Sequence, residues 1–325
     1  MSMNTFQIIH TTGVNNCGGR CRIHVHIMKD GAIQRLTTDP PGDDSCGVPL
    51  TACVKGLNYH KTFLSPDRLL YPMRRVGPRG EGSFQRISWD EALDRIASEW
   101  KRIKDTYGVG SRYVGGGGGV CGTLAGSRLA ARLLSLDGGY LGSYNSYSSA
   151  CIRQASNLMY GTNATGNHLS HWLESKQILL WGHNPQETKF DSETMYYLRK
   201  AKAAGVPIVV IDPRRSDTVD ALNAEWIPLR PATDAALMDA MAWVIYTRGL
   251  HDQTFLDRCC VGFDEQHMPE GVPGDACYRA YLMGETDNVP KTPAWAAPIT
   301  GVPEEIIIDL AIRYATAKPA ALVMG

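Results

Sequence analysis

Apolar and polar positions alternate from Arg22 to Met28 and again, more briefly, from Ile33 to Thr37, the period of a half-buried strand. Lys29-Asp30-Gly31 lies between the two runs, and Asp-Gly supplies the positive-φ backbone that a tight hairpin needs. The spacing changes after residue 88. Ser88 with Glu91 forms a capping box, and Ala92, Ile96, Trp100 and Ile103 recur on one face of a helix predicted over Trp89–Tyr107. From about residue 110 the pattern becomes strand, loop and helix, repeated. Gln177–Trp181 and Pro207–Ile211 are short apolar runs, Trp226–Leu229 is another short strand, and helices are predicted over Tyr196–Ala204 and Ala235–Tyr246. Unbroken apolar strands separated by helices predict an α/β fold with a parallel sheet covered on both faces.

Turn signals at Ser65-Pro66-Asp67-Arg68 and from Val76 to Gly82 mark a linker. Residues 1–60, rich in Cys, Gly, Asn and His, read as a small irregular unit before it. The hydrophobic fraction of 43% is that of a globular chain with a sizeable core. With 33 basic and 33 acidic residues the formal net charge is zero, so there is no basic field of the kind nucleic acid requires. No run approaches the ~18 consecutive apolar residues of a membrane-spanning helix. The first residues, MSMNTFQIIHTT, carry neither a twin-arginine pair nor an apolar signal core. The expected location is periplasmic if a twin-arginine leader has been removed and cytoplasmic otherwise.

The nine cysteines are unevenly placed: Cys17, Cys21, Cys46 and Cys53 crowd the start. Cys17-Gly-Gly-Arg-Cys21 followed by Cys53 allows a close pair and a distant thiol to meet at one metal, while a zinc ribbon would need a second close pair. The spacing alone leaves two readings open, an iron–sulfur site and ordinary buried thiols. Tyr147-Ser148-Ser149-Ala150-Cys151 places serines at a loop–helix junction, where serine is commonly an N-cap. The loops Gly182–Thr188 and Asp212–Thr218 follow predicted parallel strands at their C-terminal ends, the edge where open α/β sheets bind phosphate-bearing ligands. There Asp212 can accept hydrogen bonds from a ribose or base, and Arg214 or Arg215 can pair a phosphate. Asn-Pro and Asp-Pro also start turns without any ligand. Gly115–Gly119 lacks the neighbours of a phosphate loop, and the histidines lack metal-ligand spacing.

Several runs resemble the dimethyl sulfoxide reductase family of molybdopterin enzymes. They are Val14–Cys21, Ala52-Cys53-Val54-Lys55-Gly56, Ser65–Met73, Gly80–Ala92, Trp181–Thr188, Asp212–Thr218 and Pro228–Leu237. The resemblance implies a [4Fe–4S] domain over 1–62, the first part of a central α/β molybdopterin domain over 63–150 and a Rossmann-like dinucleotide-binding domain over 151–325. By the same resemblance Cys17, Cys21 and Cys53 ligate the cluster and Lys55 lies between cluster and pterin. Ser148 supplies a catalytic oxygen ligand to molybdenum, with Ser149 and then Cys151 as the next choices. Gly182, Asn184, Pro185, Glu187, Thr188, Asp212, Pro213, Arg214, Arg230, Thr233 and Asp234 contact the guanine dinucleotide tails, and Thr233 or Asp234 caps the following helix. One departure stands out. The family has a cysteine four residues before Cys17, where this chain has Gly13, so the cluster is ligated unusually, has three irons, or is lost.

The implied fold is a small Cys-rich iron–sulfur subdomain followed by doubly wound, mostly parallel α/β domains, with the chain cut before a C-terminal barrel. The implied enzyme reduces S-oxides or N-oxides such as dimethyl sulfoxide by oxygen-atom transfer, using molybdenum bis(molybdopterin guanine dinucleotide) and a [4Fe–4S] cluster. Its expected partners are an iron–sulfur electron-transfer subunit and often a membrane anchor, with no nucleic acid. The chain ends on an apolar strand, a poor domain end, so the 325-residue piece is expected to be inactive alone. Two rival classes stay open: a hydratase or phenol dehydroxylase on the same scaffold, and an inactive nucleotide-binding fragment.

Overall fold

The computed structural model describes residues 7–13, 21–40, 47–116, 126–144, 146, 149–188 and 193–325. The chain divides into two compact units, Met1–Gly166 with Lys189–Ser192, and Asn167–Thr188 with Glu193–Gly325.

In the first unit, β1 (Gln7–Thr12), β2 (Arg22–Ile27) and β3 (Ile33–Thr37) form an antiparallel sheet in that order. The predicted hairpin is present: Gly31 has φ +83°, and the Asp30 carboxylate accepts from Ala32 N at 3.0 Å. β1 was not expected from the sequence. It pairs with β2 along its whole length, and all six of its residues are exposed, so no buried face left a periodic mark. Two short helices follow, α1 (Val54–Leu57) and α2 (Tyr59–Phe63), then a hairpin of β4 (Met73–Arg75) and β5 (Phe84–Arg86) around the turn-rich stretch.

The long helix α3 (Trp89–Tyr107) begins and ends where the periodicity places it. Ser88 Oγ accepts from Glu91 N at 3.1 Å, the first half of a capping box. The Glu91 carboxylate is 3.4 Å from Arg74 of β4. The apolar stripe of α3 lines a groove with Leu133 and Leu134 of α4 (Gly126–Leu136), yet no α3 residue is buried. Asp137, just after α4, receives Lys104 at 2.6 Å and the buried Arg112 at 2.5 Å, and these cations hold its carboxyl below the ordinary range. The unit closes with α5 (Ala150–Tyr160). Among the described residues its one parallel pairing is the bridge between Tyr113 and Leu141. Among the described residues of this region, the strand–helix repeat expected from residue 110 is represented by that bridge and the helices α4 and α5.

The second unit carries the parallel sheet, β8 (Glu225–Ile227), β7 (Ile208–Ile211), β6 (Gln177–Trp181) and β9 (Ala320–Met324), in that spatial order. Every residue of β6 and β7 is buried, which explains why both read as unbroken apolar runs. The connections α6 (Thr194–Ala203) and α7 (Asp217–Leu222) step from β6 to β7 to β8 in one direction. The return to β9 passes through α8 (Asp234–Thr247), α9 (Gln253–Cys259), α10 (Tyr278–Met283), α11 (Pro293–Thr300) and α12 (Glu304–Thr316), and lands on the far side of β6. Because parallel crossovers are right-handed, the two directions put these two sets of helices on opposite faces. On one face Leu179, Trp181, Val209 and Ile211 meet Leu237 and Met241 of α8 and Ile307 and Leu310 of α12.

Leu179 is 1% exposed inside this cluster. Leu179→Ala is expected to lower unfolding stability by about 2–5 kcal/mol through lost burial and a residual cavity. Urea denaturation checks this by a fall in midpoint at unchanged slope.

Candidate cofactor-binding site

The strand order reverses between β6 and β9, and a ligand crevice in such sheets opens at the carboxyl ends of the strands that flank the reversal. At this point β6 ends in Gly182, whose φ of +61° turns the chain out of the sheet. Gly325, past the end of β9, donates its N–H to Trp181 O at 3.0 Å. A Cβ at Gly325 would fall 2.1 Å from the Gly182 carbonyl oxygen, so the two segments approach closely here.

The loop after β6 is braced by the loop after β7. The hydroxyl of Thr218, fully buried, donates to Asn184 Oδ1 at 2.6 Å and accepts from Gln186 N at 3.1 Å. Asn184 Nδ2 donates to Glu187 Oε2 at 2.8 Å, and the same oxygen accepts from Arg214 Nη2 at 2.5 Å. Pro185 is buried, while Glu187 and Thr188 are exposed, with Thr188 N bonded to Asn184 O at 2.9 Å. Asp212 Oδ1 accepts from Arg214 N at 3.0 Å, an Asx turn that carries the chain through exposed Pro213. The Glu187 carboxylate raises the pKa of Arg214 above its usual value. Arg215 turns to Asp220 of α7, with bonds of 2.9 and 2.7 Å.

A third segment leads from β8 to α8. Trp181 Nε1 donates to Asp234 Oδ1 at 2.8 Å, tying the end of β6 to the start of α8. Thr233 stands at the N-cap position, but its hydroxyl donates to Arg230 O at 2.7 Å and makes no cap bond. The expected side-chain cap by Thr233 or Asp234 is therefore absent, because each side chain has another partner. The Arg230 guanidinium donates to the Pro298 carbonyl at the end of α11 and anchors this loop. Ala232 has φ +63°, a strained conformation for a residue with a side chain.

The structure thus brings Gly182, Asn184, Pro185, Glu187, Thr188, Asp212, Pro213 and Arg214 to one sheet edge, with Thr233 and Asp234 joined to it through Trp181. An exposed guanidinium, a side-chain amide and open space beside Gly182 fit a phosphate-bearing ligand. Three contributors escaped the sequence reading: Thr218 as the brace, Trp181 as the tie, and Gly325 as the close neighbour. Thr218 stands at the end of the predicted loop Asp212–Thr218, where its hydroxyl was a signal but its partner on the other loop was not. Trp181 reads simply as core.

In the first unit, Arg22 N donates to Leu50 O at 2.8 Å, and Thr38 Oγ1 joins Arg22 O to Ala52 N at 2.7 and 2.8 Å. These bonds bring the residues beside Cys21 and Cys53 to one end of the sheet. Cys53 occupies the N-cap position of α1 without a side-chain cap bond. Gly13 N donates to Cys21 O at 2.7 Å, and a Cβ at Gly13 would make ordinary contacts of 3.7–3.9 Å with Cys21. Position 13 therefore has room for a larger residue next to a thiol. Lys55 is exposed on α1. Cys17, Cys46 and Ser148 lie outside the described residues. Ser149 is at the N-cap position of α5 without a side-chain cap bond, its hydroxyl 2.9 Å from that of Ser146, and Cys151 is exposed. Cys21 and Cys53 are both half-buried and neither is in a disulfide.

A family model described as molybdopterin oxidoreductase matches residues 68–323. Dimethyl sulfoxide reductase DmsA of Escherichia coli (strain K12) is 44% identical over 98% of this chain and 40% of its own length. The dimethyl sulfoxide/trimethylamine N-oxide reductase of Rhodobacter capsulatus is 34% identical over 81% of this chain and 33% of its own. The solved structure of acetylene hydratase from Pelobacter acetylenicus aligns with a TM-score of 0.63 and 25% identity over 97% of this chain and 40% of that chain. The chain therefore spans about 40% of the length of DmsA.

Removing the Thr218 hydroxyl strands Gln186 N and Asn184 Oδ1 without their partner. Thr218→Val is expected to cost about 1–3 kcal/mol and to speed hydrogen exchange at Gln186, while Thr218→Ser retains most of the protection. Urea unfolding with amide exchange reads both effects.

Proposed function

Because this chain belongs to the molybdopterin oxidoreductase family, we propose that it supplies the dinucleotide-binding edge and the cluster-bearing domain of a molybdenum reductase for S-oxides and N-oxides. The observation that carries this reading is the meeting of the 182–188 and 212–218 segments at the carboxyl ends of the neighbouring strands β6 and β7, beside the strand-order reversal, in a chain 44% identical to a dimethyl sulfoxide reductase. The overall reaction proposed takes an S-oxide with two electrons and two protons to the sulfide and water. Bound molybdenum bis(molybdopterin guanine dinucleotide) would supply the oxygen-accepting metal and its redox chemistry.

The roles proposed for this chain's own residues are binding and orientation. Arg214 pairs a phosphate of the dinucleotide, Asn184 and the turn at Gly182 shape the wall beside it, and Asp212 accepts from the ribose or base. Thr218 and Trp181 keep those loops in place. Ser148 is proposed as the protein oxygen ligand to the metal. Cys17, Cys21 and Cys53 are proposed as ligands of an iron–sulfur cluster that lacks a thiolate at position 13, with Lys55 as the cation between the cluster and the pterin. The proposed partners are an iron–sulfur electron-transfer subunit and a membrane anchor. Acetylene hydratase shares the fold, so a hydratase is the second reading; the greater identity to reductases places it second.

The protein carrying this chain is expected to contain molybdenum and iron and to oxidise a reduced viologen dye when dimethyl sulfoxide is added. Ser148→Ala is expected to lower that rate at least about 100-fold, on the scale of losing a group used in the transition state, with its stability unchanged. Metal without any oxide-dependent turnover, but with hydration of an unsaturated substrate, would establish the second reading instead.

A further inference from the structure

We infer that Glu187 is a built-in competitor for the anion that the strand edge binds, holding Arg214 while the site is empty and giving it up when a diphosphate arrives. This rests on the strand-edge reading above and adds to it a residue that sets affinity from within the site.

The two partners sit on different loops, Glu187 after β6 and Arg214 after β7, and both are more than half exposed, at 55% and 64%. They differ in how firmly each is held. The Glu187 oxygen that accepts from Arg214 also accepts from Asn184 Nδ2, and Asn184 is fixed in turn by the buried Thr218 hydroxyl. The carboxylate is therefore anchored through a chain of bonds that ends in the core. For Arg214 only the backbone N–H is fixed, by the Asp212 carboxylate. Its long side chain is the part free to move. Neighbouring Arg215 is engaged with Asp220 on its own segment and is not part of the exchange.

A phosphate approaching Arg214 meets a guanidinium already paired and a negative charge fixed 2.5 Å from it. Binding must break that pair and then tolerate the carboxylate left behind. An exposed pair of this kind contributes little on its own, so the competition scales affinity by a small factor rather than blocking the site. The arrangement favours a diphosphate, whose negative charge can replace the carboxylate at Arg214.

The test is calorimetric titration of GDP into the full chain, comparing the unaltered protein with Glu187→Gln, Arg214→Gln and the double variant. Glutamine keeps an oxygen for Asn184 Nδ2 and removes the charge. Glu187→Gln is expected to bind GDP about two- to five-fold more tightly, and the gain is expected to vanish in the Arg214→Gln background. A loss of affinity in Glu187→Gln, or a gain that persists without Arg214, would overturn the inference, since the carboxylate would then contact the nucleotide or act as a general charge. If GDP fails to bind the unaltered protein, or binds Arg214→Gln equally well, the strand-edge reading itself fails.

Discussion

The reversal of strand order at β6 governs what the second unit can do. A strand buried on both faces and paired on both edges cannot shift its register without moving its whole apolar set, and β6 is such a strand. Its C-terminal end is consequently a fixed point. Gly182 leaves the sheet there, and the helices that follow β6 and β8 cover opposite faces, so the chain opens a crevice at that end. The bonds among Asn184, Glu187, Arg214 and Thr218 then brace the loops on that fixed point.

Among the described residues, both Ser216 and Thr218 of the 212–218 loop are buried. Thr218 braces the site, its fully buried hydroxyl donating to one loop side chain and accepting from one loop amide. Most of the charged groups around it are exposed and are paired with each other. A buried neutral brace beneath exposed charged arms combines a rigid floor with movable contacts. That suits a site that has to take up a large anionic ligand.

Legibility from the sequence followed burial. β6 and β7 read directly because two covered faces demand unbroken apolar runs, and α3 read directly because its cap and its stripe agree. β1 was illegible, being exposed on every residue. The site residues on turns, from Gly182 to Arg214, were legible as positions at strand ends, where turn chemistry and ligand chemistry use the same residue types. Their pairing was not, because which carboxylate meets Arg214 depends on loops that are 27 residues apart. The failure of Thr233 to cap α8 has a different, local origin: its hydroxyl donates to the Arg230 carbonyl three residues back, a competing short-range bond. Gly13 could be recognised as a departure from the family pattern, and only the fold adds that it lies against Cys21.

The loops at the carboxyl ends of β6 and β7 would act as one nucleotide-holding edge. Hydrogen exchange of the full chain with and without GDP tests it most directly. With GDP, slowed exchange is expected, confined to amides of residues 182–188, 212–218 and 230–234. Unchanged exchange in these segments, or protection appearing elsewhere in the chain, would contradict it.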